Sequence, residues 1–229
     1  MINWSSWTQQ QKLMAAAGAI LLLAALIYTQ YVTLYALIAR LLIVLIAFPV
    51  HELAHAVTAD RLGDPTPRQY GRITLNPLAH IDPVGSILML LFGFGWATTP
   101  VNPNRLRGNR ELSSIMVSAA GPLSNLVLAA LISIPFRTQV YGNSFFWQIL
   151  YSFALINLLL FVFNLLPIPP LDGFSILANL LPPSMRSQFM ALAQYGSFLL
   201  LLLVLLPGGL FSGIIGPPVN FLRDLLFGF

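Results

Sequence analysis

The chain has 229 residues, 57% of them hydrophobic and only 8% charged, with no cysteine and a mean hydropathy of +0.81. Soluble domains carry about 25% charged residues, so this composition excludes an ordinary soluble domain, a disordered chain and a disulfide scaffold. The net charge of +4 comes from basic residues in short loops, where they read as orientation signals rather than as a nucleic-acid surface.

Apolar runs cover about 13–30, 32–59, 84–98, 112–135, 145–168, 190–206 and 209–227. A spanning helix needs about 20 apolar residues, so five to seven membrane segments fit and no separate soluble domain does. The start, MINWSSWTQQQK, lacks the basic opening and cleavage site of a removable signal, so the first span is expected to be retained. The second run holds Arg40, which either snorkels to the interface or marks the helix start. Pro49 in the same run should kink or loosen the helix by removing the bond to the Leu45 carbonyl.

After Asp60 comes a polar stretch with glycine and proline in which QYGRITL has the pattern of a short strand and NPLAHIDP that of turns. The run 84–98 is short and carries Gly85, Gly93 and Gly95, which suits a re-entrant hairpin or half-helix. Residues 112–135 are expected to form a helix interrupted by GPLSN (121–125), with small and polar residues that admit close helix packing. The run 145–168 leads into NLLPIPPLDGF, whose prolines forbid regular helix. The 209–227 tail, broken by Gly and Pro, suits the membrane interface.

The chemistry is concentrated in His51-Glu52-Leu53-Ala54-His55. On a helix, residues four apart share a face, so two imidazoles can converge on one metal while Glu52 reaches a water on it. Zinc lowers the pKa of bound water to about 7, and the carboxylate can take the proton as the water attacks a carbonyl carbon. From the composition, this spacing arises by chance on the order of 3 times in 10,000 such chains. Three ionisable groups in one apolar turn are costly unless paired or bound to metal. A catalytic zinc usually has three protein ligands. Candidates for the third are His80, Asp82, Asp172, Asp60, Asp64, Asp224 and Glu111. Asp172 stands out, held after a proline-rich break at the end of a span. His80 and Asp82 lie in a polar loop, where a solvated role is expected.

Three stretches in order make the sequence resemble the site-2 proteases, zinc metalloproteases that cut within or beside transmembrane segments. They are HELAH (51–55), GPLSN (121–125) and NLLPIPPLDG (164–173), covering about 45–175. The loop GRITLNPLAHIDPVGS followed by GWATTPVNPNRLR is similar to that of compact members, and no stretch is long enough for the PDZ domain that many members carry. The resemblance implies one zinc ion with His51, His55 and Asp172 as ligands and Glu52 as general base. It implies that Asn164 holds the substrate strand or the developing oxyanion. Asn125 and Gly121 match the polar and small positions of the middle core helix and go with Asn164 into the substrate-binding set.

The expectation is an all-α polytopic membrane protein with about six membrane segments and a re-entrant, β-hairpin-like loop beside the active site. It is read as one domain over 1–229, with a catalytic core at about 32–182 and C-terminal spans over 190–229. The expected partners are the bilayer and a membrane-anchored protein substrate, with no nucleic acid. Alternatives are a membrane metal-ion transporter, whose ion pathway would also use intramembrane His and Asp, and a non-catalytic membrane scaffold. Parity sharpens the topology. His51, His55 and Asp172 must share one depth, so only one of 84–98 and 112–135 can cross, and the short 84–98 should turn back. That places Lys12, Arg61, Arg68, Arg72, Arg105, Arg107, Arg110 and Arg186 on one side and Arg137 on the other. By the positive-inside rule the active site then faces the cytoplasmic side, and the short loops and retained first span point to a bacterial or archaeal plasma membrane, with a plastid membrane as the alternative.

Overall fold

The computed structural model describes residues 8–9, 33–142, 144–196 and 210–228. The expected first span, 13–30, and most of the 190–206 run lie outside the described residues.

The architecture is helical, with no strand among the described residues. Helix α1 runs Leu34–Arg61 and contains a π-helical turn at Ile43–Ala47 just before Pro49. Proline has no N–H to offer the carbonyl four residues back. Here the helix widens instead of breaking, with the Phe48 N–H donating to Ile43 O. The expected loosening is therefore a one-turn π-bulge. A short helix α2, Thr66–Gln69, and helix α3, Pro83–Phe92, lie in the connection that follows. Helices α4, Arg110–Arg137, and α5, Phe145–Asn164, are long. Helices α6, Asp172–Leu180, α7, Pro183–Met190, and α8, Leu210–Phe227, follow, and single 3-10 turns lie at Pro77–Ala79, Pro103–Arg105 and Ala191–Tyr195.

Three helices, α1, α4 and α5, are long and apolar enough to cross a membrane. Of the expected six or so segments, these three are found among the described residues, while 13–30 and most of 190–206 lie outside them. Helix α4 is packed on α1, α5 and α6. Its inward face reads Ser113, Val117, Gly121, Asn125, Ala129 and Ser133 at four-residue spacing, all buried. Its outward face carries Leu112, Met116, Leu123, Val127, Leu131 and Ile134, all exposed. Small and polar inside with large and apolar outside is the pattern of a helix bundle in lipid. GPLSN does not interrupt α4. Pro122 removes one donor, the N–H that would have met Ser118 O, and the helix runs through that single gap.

The connection between α1 and α4 begins and ends at the same end of the bundle, since the Arg107 N–H donates to Leu62 O at 2.8 Å. It holds no hairpin of strands, and this corrects the β-hairpin-like loop. QYGRITL is not a strand. Gln69 ends α2, and the N–H groups of Gly71 and Arg72 turn back to the carbonyls of Arg68 and Pro67. No neighbouring extended segment offers this stretch a ladder. Helix α3 has ten residues, about 15 Å of rise, half of a hydrocarbon core. The chain then reverses at Gly93 and returns along α3. The contact is possible only because Gly85 and Gly95 face each other. A Cβ on Gly85 would lie 2.1 Å from Trp96 O, and one on Gly95 would lie 2.0 Å from Gly85 O. Arg40 neither snorkels nor starts α1. It donates to Leu90 O and Leu91 O at 3.0 and 2.9 Å, so its charge sits on the carbonyl end of α3, where cations are favoured.

Candidate metal centre

His51 and His55 lie in the second half of α1, one turn apart, and both are buried. Their rings meet edge to face with centroids 4.7 Å apart. Asp172 arrives from the other direction. Residues 165–171 turn irregularly after α5, and α6 starts at Asp172. Its neighbour Gly173 permits the approach, because a Cβ there would lie 2.1 Å from Leu165 O. The result is a triangle of ligand atoms. His51 Nε2 to His55 Nε2 is 3.0 Å, and each Nε2 is 3.4 Å from Asp172 Oδ2. A tetrahedral ion with bonds of about 2.0–2.1 Å requires ligand atoms about 3.3–3.4 Å apart. The residues therefore fit a zinc ion, and among the described residues this is the one such cluster.

Both imidazoles are anchored from behind. His55 Nδ1 is 2.7 Å from Val117 O, and His51 Nδ1 is 2.6 Å from Asn125 Oδ1. A carbonyl only accepts, so His55 carries its proton on Nδ1 and turns the Nε2 lone pair to the metal position. Gly121 faces that position directly. A Cβ there would lie 2.2 Å from His55 Nε2 and 2.5 Å from His51 Nε2, inside the volume the ion needs. Gly121 and Asn125, grouped in the sequence with substrate binding, are thus found beside and behind the imidazoles. Neither lines the cavity, and Asn125 is wholly buried.

Glu52 is buried beside the ligands, and its Oε2 has no protein partner. It opens on a cavity of about 510 Å³, which the ligands and Asn164 also line. The half-buried Asn164 donates one amide hydrogen to Leu160 O at 2.9 Å. Another part of the lining is the return segment 96–99, tied to α1 by the Thr99 hydroxyl, which donates to Glu52 O at 3.2 Å.

The other candidate ligands are engaged elsewhere. His80 Nε2 meets Thr74 O at 2.8 Å, and Asp82 caps α3 by accepting from the Gly85 N–H at 2.7 Å. The fully buried Asp64 accepts from the N–H groups of Thr66 and Asn102, stapling the two ends of the connection. Asp60 pairs with Arg68, Glu111 with Arg186 and Asp224 with Arg223. Sequence reasoning passed over Asn157, which is wholly buried and bonded to Asn125. Its signal was legible, an amide in the middle of the run ALINLLL. It also passed over Trp96 and Arg186 as cavity residues. Nothing in their local pattern distinguishes them.

A bundle of apolar helices in which an HExxH turn meets an aspartate from a later element at one metal-sized gap has the make-up of a membrane metalloprotease. Residues 132–204 match the family described as Peptidase family M50. The chain is 41% identical over 192 residues to the Bacillus subtilis protein named "Putative zinc metalloprotease YwhC", covering 79% of this chain and 85% of that one. It is 32% identical over 171 residues to a Mycolicibacterium smegmatis protein of similar name, Rip2, covering 71% and 65%. The Rip2 protein of Mycobacterium tuberculosis is 33% identical over 181 residues, covering 75% and 69%. No solved structure matches the chain. The chain belongs to peptidase family M50, the site-2 proteases, and its cofactor is zinc. Family membership favours the protease reading over the transporter and scaffold readings.

Proposed function

We propose that this protein is an intramembrane zinc endopeptidase that hydrolyses peptide bonds within or next to transmembrane segments of membrane-anchored proteins. The observation that carries the reading is Glu52: a buried carboxylate with a free oxygen, next to three convergent ligand atoms, on a cavity inside a lipid-facing bundle. Zinc held by His51, His55 and Asp172 would polarise the scissile carbonyl and acidify water. Glu52 takes the proton from the attacking water and delivers it to the leaving nitrogen as the C–N bond breaks, giving a carboxylate and an amine. Asn164 retains a second amide hydrogen for the substrate carbonyl or the developing oxyanion. A helical substrate must unwind to present its carbonyl. Segment 96–99, which lies outside any helix, offers backbone groups along which an extended substrate can lie.

The site is proposed to open toward the cytoplasmic half of a prokaryotic plasma membrane. In support, Arg68, Arg105, Arg107 and Arg186 gather where α1 ends and α4 begins. Arg137 lies at the other end of α4 against Leu225 O. Basic loops face the cytoplasm.

The test is cleavage of a fused membrane substrate by protein reconstituted in lipid. Cleavage should stop with a chelator and return with zinc. Persistence in the chelator overturns the zinc mechanism, and cleavage of soluble peptides alone overturns the intramembrane one. The chain has no cysteine, so single cysteines at Thr66, Asn104 and Gly142 report orientation. Positions 66 and 104 should label from the cytoplasm and 142 from outside. Labelling of 66 and 104 from opposite faces overturns the topology.

A further inference from the structure

The hydrogen-bond chain behind His51 runs in one direction only. Asn125 Oδ1 is 2.6 Å from His51 Nδ1, Asn125 Nδ2 donates to Asn157 Oδ1 at 2.9 Å, and Asn157 Nδ2 donates to Phe153 O at 2.9 Å. Asn125 and Asn157 have no exposed surface, so no solvent can repair a wrong pairing. A primary amide can turn end for end and present NH₂ where it presented oxygen. With Asn125 alone, His51 could meet either face. An NH₂ at Nδ1 would need the Nδ1 lone pair, and the imidazole proton would move to Nε2, the atom aimed at the metal.

The ambiguity ends at the Phe153 carbonyl, which only accepts. Asn157 must turn its NH₂ toward that carbonyl, so its oxygen faces Asn125. Asn125 must then turn its NH₂ toward Asn157, so its oxygen faces His51. His51 must then carry its proton on Nδ1, leaving the Nε2 lone pair for the metal. We infer that Asn157, on a different helix from every histidine of the site, is a positioning residue that sets the His51 tautomer through Asn125. The inference rests on the metal-site reading, not on proteolysis. His55 reaches the same state by a shorter route, through Val117 O directly. Both imidazoles are thus referenced to a backbone carbonyl of a neighbouring helix, one on α4 and the other, through two amides, on α5. The relay also locks α1, α4 and α5 in register at the depth of the site. An alternative orientation leaves buried polar atoms unpaired, and in lipid each such atom is costly.

The test uses the full chain in lipid nanodiscs, metal-free and labelled with ¹⁵N-histidine. The chain has three histidines, so each imidazole can be assigned by its own variant. The expected wild-type result is His51 as the Nδ1–H tautomer before any metal is added. In Asn157→Leu, which frees Asn125 to turn, His51 should shift toward Nε2–H while His55 keeps Nδ1–H. Zinc affinity by chelator competition should fall about 10- to 100-fold, the usual effect of losing a partner behind a ligand. Asn157→Asp keeps an acceptor oxygen toward Asn125, so it should retain the His51 tautomer and most of the affinity. A purely packing role would make the two variants alike or reverse their order, and that overturns the inference. Metal-free wild-type His51 in the Nε2–H form also overturns it, even if Asn157→Leu does not fold. A wild-type protein with the Nδ1–H tautomer and tight zinc binding but no cleavage overturns the protease reading and leaves the relay standing.

Discussion

The two ends of the bundle are built on opposite principles. Around His51 the contacts between helices are directed hydrogen bonds and deliberate gaps: Asn125 to Asn157, His55 to Val117 O, and a missing side chain at Gly121. Around Phe136, at the far end of α4, they are aromatic faces and edges. Phe136 meets Tyr141 at 5.0 Å, Phe227 at 5.3 Å and Trp147 at 5.6 Å between centroids, joining α4, α5 and α8. Aromatic pairs tolerate small rearrangements because their attraction is broad. A ligand triangle does not, since a hydrogen bond or a metal bond is lost within a fraction of an ångström. The difference assigns different failures to the two ends. Damage at the first should remove zinc or chemistry with the fold intact, and damage at the second should loosen the fold with the site intact.

The strongest test of that division is Glu52→Gln. The amide keeps the size of the carboxylate but cannot take the proton, so turnover should fall about 10²- to 10⁴-fold or more with one zinc still bound. Normal turnover in this variant removes Glu52 from the mechanism. Gly121→Ala comes next. Its methyl would occupy the space between the imidazoles, so elemental analysis should find zinc well below one per chain while the helix content stays. A full complement of zinc would show that the gap is not what admits the ion. At the aromatic end, Phe227→Ala removes a side chain that is 1% exposed. Thermal unfolding should show a loss of up to about 3 kcal/mol, the packing part of the usual Phe→Ala cost, because lipid replaces water as the reference. Zinc content should not change, and if it falls with stability the two ends are coupled more tightly than their contacts indicate. The smallest effect belongs to Arg68→Ala, whose partner Asp60 it meets on an exposed surface. Such pairs contribute little, and zinc content, melting temperature and cleavage should all stay within error of the wild type.

How much of this was legible beforehand differs residue by residue. The His51–His55 pair needed only the helix period, because four residues on α1 bring two side chains to one face wherever the helix packs. Asp172 could be chosen among seven candidates from its proline-rich setting and from the resemblance to the site-2 proteases. The other six could be discarded only once their own partners were visible, such as the N–H groups that occupy Asp64. The short strand at QYGRITL was a misreading with a clear cause. Alternation is a local pattern, and a strand also needs a neighbour to complete its hydrogen bonds, which residues 70–75 do not have. The crossing of GPLSN by a continuous helix was missed for the converse reason, since one proline removes a single donor and the rest of the α4 ladder carries the helix through.

By itself the sequence determined the solvent and the chemistry of this protein. Its apolar runs, small residues at helical spacing and HELAH turn depend on near neighbours along the chain, and those are present before any folding. Only the tertiary structure decided which carboxylate completes the ligand triangle, why position 121 must be bare and which way the Asn125 amide points. Each of these is a distance or a direction between groups 30 to 120 residues apart, and in so small a gap a displacement of an ångström changes the answer.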